Sequence, residues 1–403
     1  MAQVDDLLLG LLTDPVVQQD PLPTYAALHE GGPVQRAENG AWVIVGHEAA
    51  HEVMRHPDLG RHTADMEHSF GVDPARRAAR NVTPSMLFLN APDHTRVRSL
   101  VNRAFTPRRI NALDERISAL VEIELEMIAQ ASGPVDLMTG LAFRLPAAVI
   151  SEMVGVPDAD HAKVRSLVQQ TTVFLELAPD PAEIKAGEVA GEELREFIGE
   201  LVKEKRSDPG DDLLSALISA EQDGDRLSPD EVIANTLLLY AAGFETTSNL
   251  IGNGTLALLR NPEQIERLRR EPSLVPNAVE EILRFDSPVA FNARAALAEA
   301  SVVGLDLEWG TTLIVVQGAA NHDPAVFTNP SAFDVGRREA GVLSFGFGAH
   351  HCLGAALARS EGRLVFEGLL NRFEKWELVG PDVPVFRPRM TLRGLESLLV
   401  SYA

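Results

Sequence analysis

The 403-residue sequence predicts a mainly α-helical protein that carries small β-sheets. Three observations lead there. Apolar residues recur at spacings of three and four through 115–129, 192–203 and 262–270, the repeat of an amphipathic helix. Strand signals are few and local. One stretch, opening at Ser228 and closing before Pro262, has explicit helix ends on either side of an almost wholly apolar middle.

Taken in order, "VQRAENGAWVIVG" (34–46) reads as a hairpin in which Asn39 and Gly40 supply a positive-φ turn between short β-rich runs. Ser228, Pro229 and Glu231 then form an N-cap, a proline at the first helical position and a capping-box acid, while Asn261 and Pro262 close the far end. At 1.5 Å per residue this helix is roughly 50 Å long, enough to cross a domain. A second strand pair is expected in "SVVGLDLEWGTTLIVV" (301–316), and "LESLLVSY" (395–402) is expected to add an edge strand. No Pro/Ser/Gly-rich linker or low-complexity tract divides the chain, so residues 1–403 are expected to form one domain with a β-rich part near 33–46 and 300–317.

Hydrophobic residues make up 45% of the chain and charged residues 23%, the balance of a globule with an ample core. The 36 basic against 58 acidic side chains leave a net charge of −22, which repels a phosphate backbone and argues against nucleic-acid binding. A single cysteine rules out an intrachain disulfide and fits a reducing compartment. The opening "MAQVDDLLLGLLTDP" has a short apolar run preceded by acids, so neither a signal peptide nor a membrane anchor is expected, and the protein is expected to be cytoplasmic.

Three constellations carry chemistry. The apolar "LLLYAAGFETTSNLIG" (237–252) places Gly243, which weakens a helix by about 1 kcal/mol, beside Glu245, Thr246 and Thr247. A surface kink with solvated polar residues is the plain alternative, but the flanking apolar turns favour a buried helix on which a flat ligand presses and protons are delivered. In "AVEEILRFDSPV", Glu281 and Arg284 share one helix face, and most such pairs are exposed and contribute little. The third is "SFGFGAHHCLGAALAR" (344–359), which holds Cys352.

A buried apolar cysteine would not require the glycines around it. A hydrolytic nucleophile needs a base and an orienting acid; His350 and His351 stand too close in sequence to be placed easily. A zinc site lacks a second cysteine and the usual ligand spacing. The remaining reading uses every residue: a thiolate at the start of a helix expected over 353–372, stabilised by free backbone amides, with Gly346, Gly348 and Gly354 admitting a flat macrocycle. That is the arrangement of an axial haem thiolate.

The stretch resembles the haem-binding signature of the cytochrome P450 family, Phe-x-x-Gly-x-His/Arg-x-Cys-x-Gly, at Phe345, Gly348, His350, Cys352 and Gly354, and the whole chain is similar to the soluble bacterial members. The resemblance implies the family's fold, with haem b between the long central helix and the cysteine-bearing loop, and Cys352 as axial ligand of the iron. It implies that Glu245 and Thr246 are the acid–alcohol pair that handles protons and dioxygen, and that Glu281, Arg284 and Arg337 form a buried charge triad. His94, Arg98, Arg294 and His350 match the family's contacts to haem propionates. The pocket it implies is lined by the loop from His62 to Met86, by Phe174, Leu238, Ala241, Ala242, Val289 to Asn292 with Phe291 among them, and by Met390 with Thr391. Asn90-Ala91-Pro92 and His322 depart from the more usual residues at their positions.

The implied activity is a monooxygenase that draws electrons from a ferredoxin and its reductase, activates O2, and hydroxylates or epoxidises a lipophilic small molecule in natural-product biosynthesis or catabolism. A peroxide-driven haem oxygenase and a non-catalytic haem sensor are the alternatives, and the Glu245–Thr246 pair disfavours both. Arg96, Arg103, Arg108, Arg109, Arg359 and Arg363 are candidates for a docking patch toward an acidic partner, against the simpler reading of a scattered solvated surface.

Overall fold

A computed structural model describes residues 3–63, 66, 84–106, 109–110, 112–175, 181–380, 384–387, 389 and 391–403. The fold is mostly helical with small sheets. Met390, Arg108 and most of the segment from His62 to Met86 lie outside the described residues.

The long helix spans Pro229–Arg260, 32 residues. Its start is a reciprocal capping box: the Ser228 N–H donates to Glu231 Oε2 at 2.7 Å and the Glu231 N–H donates to Ser228 Oγ at 3.2 Å. The helix continues unbroken through Gly243, where an added Cβ would meet nothing closer than Ile150 Cδ1 at 3.9 Å. At its far end the Asn261 side-chain amide donates to the Ala257 carbonyl at 2.8 Å, and Pro262 opens the next helix, Pro262–Arg270.

Strands β1 (Val34–Arg36), β2 (Trp42–Ile44), β3 (Leu59–Gly60), β7 (Phe291–Ala296) and β10 (Thr312–Val316) form a sheet ordered β1-β2-β10-β7-β3. The first hairpin is where the sequence placed it, but the turn differs. Only Gly40 has positive φ, at 87°; Asn39 instead accepts the Ala41 N–H on its side chain at 3.0 Å, so five residues make the connection rather than a two-residue turn. The tight turn occurs between β8 (Ala300–Val302) and β9 (Leu305–Leu307), with φ of 49° at Val303 and 77° at Gly304.

A further sheet joins β4 (Val135–Asp136), β11 (Trp376–Leu378) and β12 (Leu399–Tyr402). The final strand is central in it, not an edge: β12 pairs with β11 on one side and β4 on the other. A small hairpin of β5 (Glu221–Gln222) and β6 (Asp225–Arg226) completes the sheets of the described residues.

The chain separates into two compact units. One comprises residues 1–59, 114–145 and 246–403, and contains the main sheet; its core includes Ile44, Val53, Leu313, Val315, Ala320 and Leu343. The other comprises residues 60–113 and 146–245. In it the helix Pro181–Ser207 packs so closely at Gly187 that an added Cβ would lie 3.0 Å from the Gln170 carbonyl oxygen of the helix His161–Thr171 and 2.6 Å from Val173 Cγ1 in the turn that follows it.

Candidate active site

Cys352 lies between a short 3-10 turn, Gly348–His350, and the helix Ala355–Arg372. The helix begins two residues later than the sequence reading expected. The Cys352 side chain is exposed. Its backbone is held: the Cys352 N–H donates to the Phe345 carbonyl at 2.9 Å, the His351 N–H to Gly348 at 3.0 Å, and the Gly346 N–H to Leu343 at 2.8 Å.

The three glycines of this loop do different things. Gly346 and Gly348 have φ of 65° and 74°, a region that costs other residues strain. A Cβ on Gly348 would strike the backbone of the helix His47–Arg55, 2.5 Å from the Met54 carbonyl oxygen and 2.8 Å from Arg55 Cα, so protein packing demands this glycine. A Cβ on Gly354 would meet nothing within 4 Å of the described atoms, and one on Gly346 only the His350 carbonyl at 4.0 Å; these two leave the backbone open to a ligand.

Behind the loop stands a buried ion cluster. The helix Val275–Phe285 presents Glu281 and Arg284 one turn apart; Arg284 Nε and Nη2 donate to the two Glu281 oxygens at 2.7 and 2.9 Å. Arg337 Nε donates to Glu281 Oε2 at 3.0 Å. The remaining guanidinium donors reach carbonyls: Arg284 to Asn321, Pro330 and Ala332, Arg337 to Thr328, Asn329 and Ala332. Burial this complete, 1–8% exposure across the three residues, is sustained because the donors are satisfied.

In the same unit Arg294 is buried on β7, donating to the Ala293 carbonyl and the Asn292 side chain, and His350 is half-buried beside Cys352. In the other unit the helix Asp93–Ala104 carries His94, buried, and Arg98 one turn on. Burial first, and then the Arg98 and Arg61 guanidiniums, hold the His94 imidazole below its ordinary value. Arg61 was not singled out by its sequence. Burial pushes it down to about 10, and Asn90 clamps its backbone from both sides, accepting its N–H at 2.7 Å and donating to its carbonyl at 2.9 Å.

Along the long helix Leu238, Ala241, Ala242 and Thr246 are half-buried and share one face, whereas Tyr240, Phe244, Glu245 and Thr247 are buried. Glu245 has no exposure at all. Phe174 is 38% exposed on the 3-10 turn Thr172–Leu175, Phe291 is buried at the start of β7, and Val289 bridges to Leu392.

A family model described as cytochrome P450 matches residues 34–392. The chain belongs to the cytochrome P450 family. It is 41% identical to cytochrome P450 107B1 of Saccharopolyspora erythraea over 99% of this chain and 98% of that one. It is 38% identical to the cytochrome P450 monooxygenase PikC of Streptomyces venezuelae over 95% and 91%. Its fold is similar to the crystal structure of Mycobacterium smegmatis CYP164A2, with a TM-score of 0.88 and 35% identity over 98% of this chain and 100% of that one. The chain is thus a cytochrome P450 monooxygenase with relatives in polyketide biosynthesis, among them PksS of Bacillus subtilis.

The P450 family implies a haem, and the residues present fit one. A single exposed thiol just before a helix N-terminus offers a soft donor, and two of its neighbouring glycines leave their faces open. No described helix of this P450 is long and apolar enough to cross a membrane. The described arginines of the candidate docking patch are each already engaged. Arg96 pairs with Asp225 and Glu231, Arg103 reaches Gln222, Arg109 reaches Asp211 and the Asp212 carbonyl, Arg359 pairs with Glu280, and Arg363 with Asp114 and Glu367. Apart from Arg103, whose partner Gln222 is neutral, their charge is offset locally, which weakens that reading.

Sequence reasoning also passed over Glu361, on the helix Ala355–Arg372. It is 3% exposed, its Oε2 has no hydrogen-bond partner among the described residues, and burial pushes its carboxyl up to about 8. The available signal was an acid between Leu357 and Val365 on the apolar side of that helix.

Proposed function

We propose that this P450 uses haem b, ligated by Cys352, to hydroxylate or epoxidise a lipophilic small molecule of natural-product type, with electrons from a ferredoxin and its reductase. The observation that carries the reading is the chain's sole cysteine, exposed at the end of a loop whose backbone is fixed from Phe345 to Cys352. When bound, the haem activates dioxygen, and a thiolate ligand favours cleavage of the oxygen–oxygen bond.

The protein's own part is positioning and proton supply. The amides ahead of the helix Ala355–Arg372 would favour negative charge at Cys352. Arg98, Arg294, His94 and His350 would bind the cofactor's carboxylates; a carboxylate brought against His94 would raise the imidazole's proton affinity and reverse the present depression. Thr246, half-buried on the long helix, would hold the reacting oxygen by its hydroxyl, and the neighbouring Glu245 would pass protons inward. Leu238, Ala241 and Ala242, with Phe174, Val289, Phe291 and Met390, would give the substrate apolar walls. The lone thiol and acidic composition favour a cytoplasmic setting.

The test is the absorption spectrum of the reduced, carbon monoxide-bound protein. A strongly red-shifted Soret band in the wild type, lost in Cys352→Ala, is expected; a band unaltered by the substitution overturns the reading. Thr246→Ala is expected to keep consuming reductant while diverting it to hydrogen peroxide, and an unchanged product yield per electron removes Thr246 from that role.

A further inference from the structure

We propose that Asn321 is a positioning residue that joins the Glu281–Arg284–Arg337 cluster to the loop presenting Cys352. The proposal rests on Cys352 being the haem ligand.

Asn321 has no exposure and follows the short helix Gln317–Ala320 at the end of β10. Three of its polar atoms reach in three directions. Its carbonyl accepts from Arg284 Nη1 at 3.1 Å, which ties it to the ion cluster. Its side-chain Oδ1 accepts the Leu343 N–H at 2.8 Å, and its Nδ2 donates to Ser344 Oγ at 2.9 Å. The Leu343 N–H can only donate, which fixes the orientation of the amide. Ser344 passes the connection back: its hydroxyl donates to the Leu283 carbonyl at 2.6 Å, in the same helix that carries Glu281 and Arg284.

Leu343 and Ser344 are the root of the cysteine loop. The Leu343 carbonyl accepts from Gln317 Nε2 at 2.6 Å and from the Gly346 N–H at 2.8 Å, and the next carbonyl but one, that of Phe345, receives the Cys352 N–H. A shift at 343–344 is therefore transmitted to the amide of the liganding residue through two hydrogen bonds. Only a carboxamide supplies an acceptor and a donor to adjacent residues at this reach. An aspartate loses the donor to Ser344 and buries a charge; an alanine leaves the Leu343 N–H unpaired in the interior.

The consequence is positional: with residues 343–344 held, the Cys352 N–H keeps its bond to the Phe345 carbonyl and the sulfur keeps its place, and with that root loosened the place is lost.

The experiment compares wild-type holoenzyme with Asn321→Ala, Asn321→Asp, Ser344→Ala, Ser344→Thr, Cys352→Ala and the core control Leu28→Ala, whose side chain lies in a separate cluster. Two quantities are measured: the share of the red-shifted Soret band in the reduced carbon monoxide complex, and hydrogen exchange across 343–352. Asn321→Ala and Ser344→Ala are expected to lose several-fold more of the red-shifted band than Leu28→Ala. They should also exchange the loop about tenfold faster, as one lost buried hydrogen bond implies. Ser344→Thr, which keeps the hydroxyl, is expected to restore both. If Asn321→Ala fails to fold, the Ser344→Ala and Ser344→Thr pair decides. Loss no greater than in Leu28→Ala overturns the positioning role while leaving Cys352→Ala to report on ligation. A wild type without the red-shifted band overturns both readings together.

Discussion

Two glutamates of the same unit are almost equally buried, Glu281 at 2% exposure and Glu361 at 3%, and they are managed in opposite ways. Glu281 lies between two guanidiniums and also accepts the Asp334 N–H at 2.9 Å. Glu361 has an oxygen with no partner among the described residues, and burial holds its proton on to about pH 8. Burial alone does not decide whether a carboxyl is an ion. What decides is whether cations and donors are arranged around it, and here they are arranged around Glu281, whose partner Arg284 also reaches the Asn321 carbonyl.

The largest expected effect breaks the first member of this pair. Arg284→Ala leaves Glu281 with two of its four hydrogen bonds and one of its two cations, and should cost about 3–5 kcal/mol in urea-unfolding free energy, with loss of bound haem; a cost under about 1 kcal/mol would show the cluster to be dispensable. Next comes the pH profile of Glu361. Its folded value is raised from 4.5 to about 8, so the folded state holds a proton the unfolded state has released. Its contribution is full below about pH 4.5 and is lost progressively as pH rises to about 8, at about 1.4 kcal/mol per pH unit. Glu361→Gln keeps the shape without the titration. Relative to wild type it should gain about 2 kcal/mol between pH 6 and 7.5, and parallel profiles for the two proteins would refute the assignment.

Smaller effects sharpen the contrast. Arg337→Lys keeps the charge but cannot fan out to Glu281 and three carbonyls, and should cost about 2 kcal/mol by the same measurement. A third glutamate calibrates the scale. Glu231 works half-buried in the capping box, and Ser228→Ala should cost about 1 kcal/mol with no change in the carbon monoxide spectrum.

The sequence discloses what is local or periodic. The capping box at Ser228, the hairpin at 34–46 and the Cys352 signature are patterns over a few residues, and the structure has helix, hairpin and loop at those places. Turn detail was less legible, because Asn39 satisfies the Ala41 N–H by its side chain and so avoids positive φ. Partners far apart in sequence were least legible. Nothing near Gly348 says that it must clear Met54, nothing near Glu361 says which neighbours withhold a cation, and β12 is central only because β4 lies on its other side. Asn321 stood out in the sequence only as the neighbour of His322; its bonds to Leu343 and Ser344 cross more than twenty positions.

That last strand sets the order in which the molecule can be finished. Asp136 accepts the Leu398 N–H across 262 positions, and β4 pairs with residues 399 and 400. On a ribosome, residues 135–136 must therefore wait, unpaired, while the long helix and the cysteine loop emerge. This sheet is a late seam, closed only after residues 398–400 have emerged.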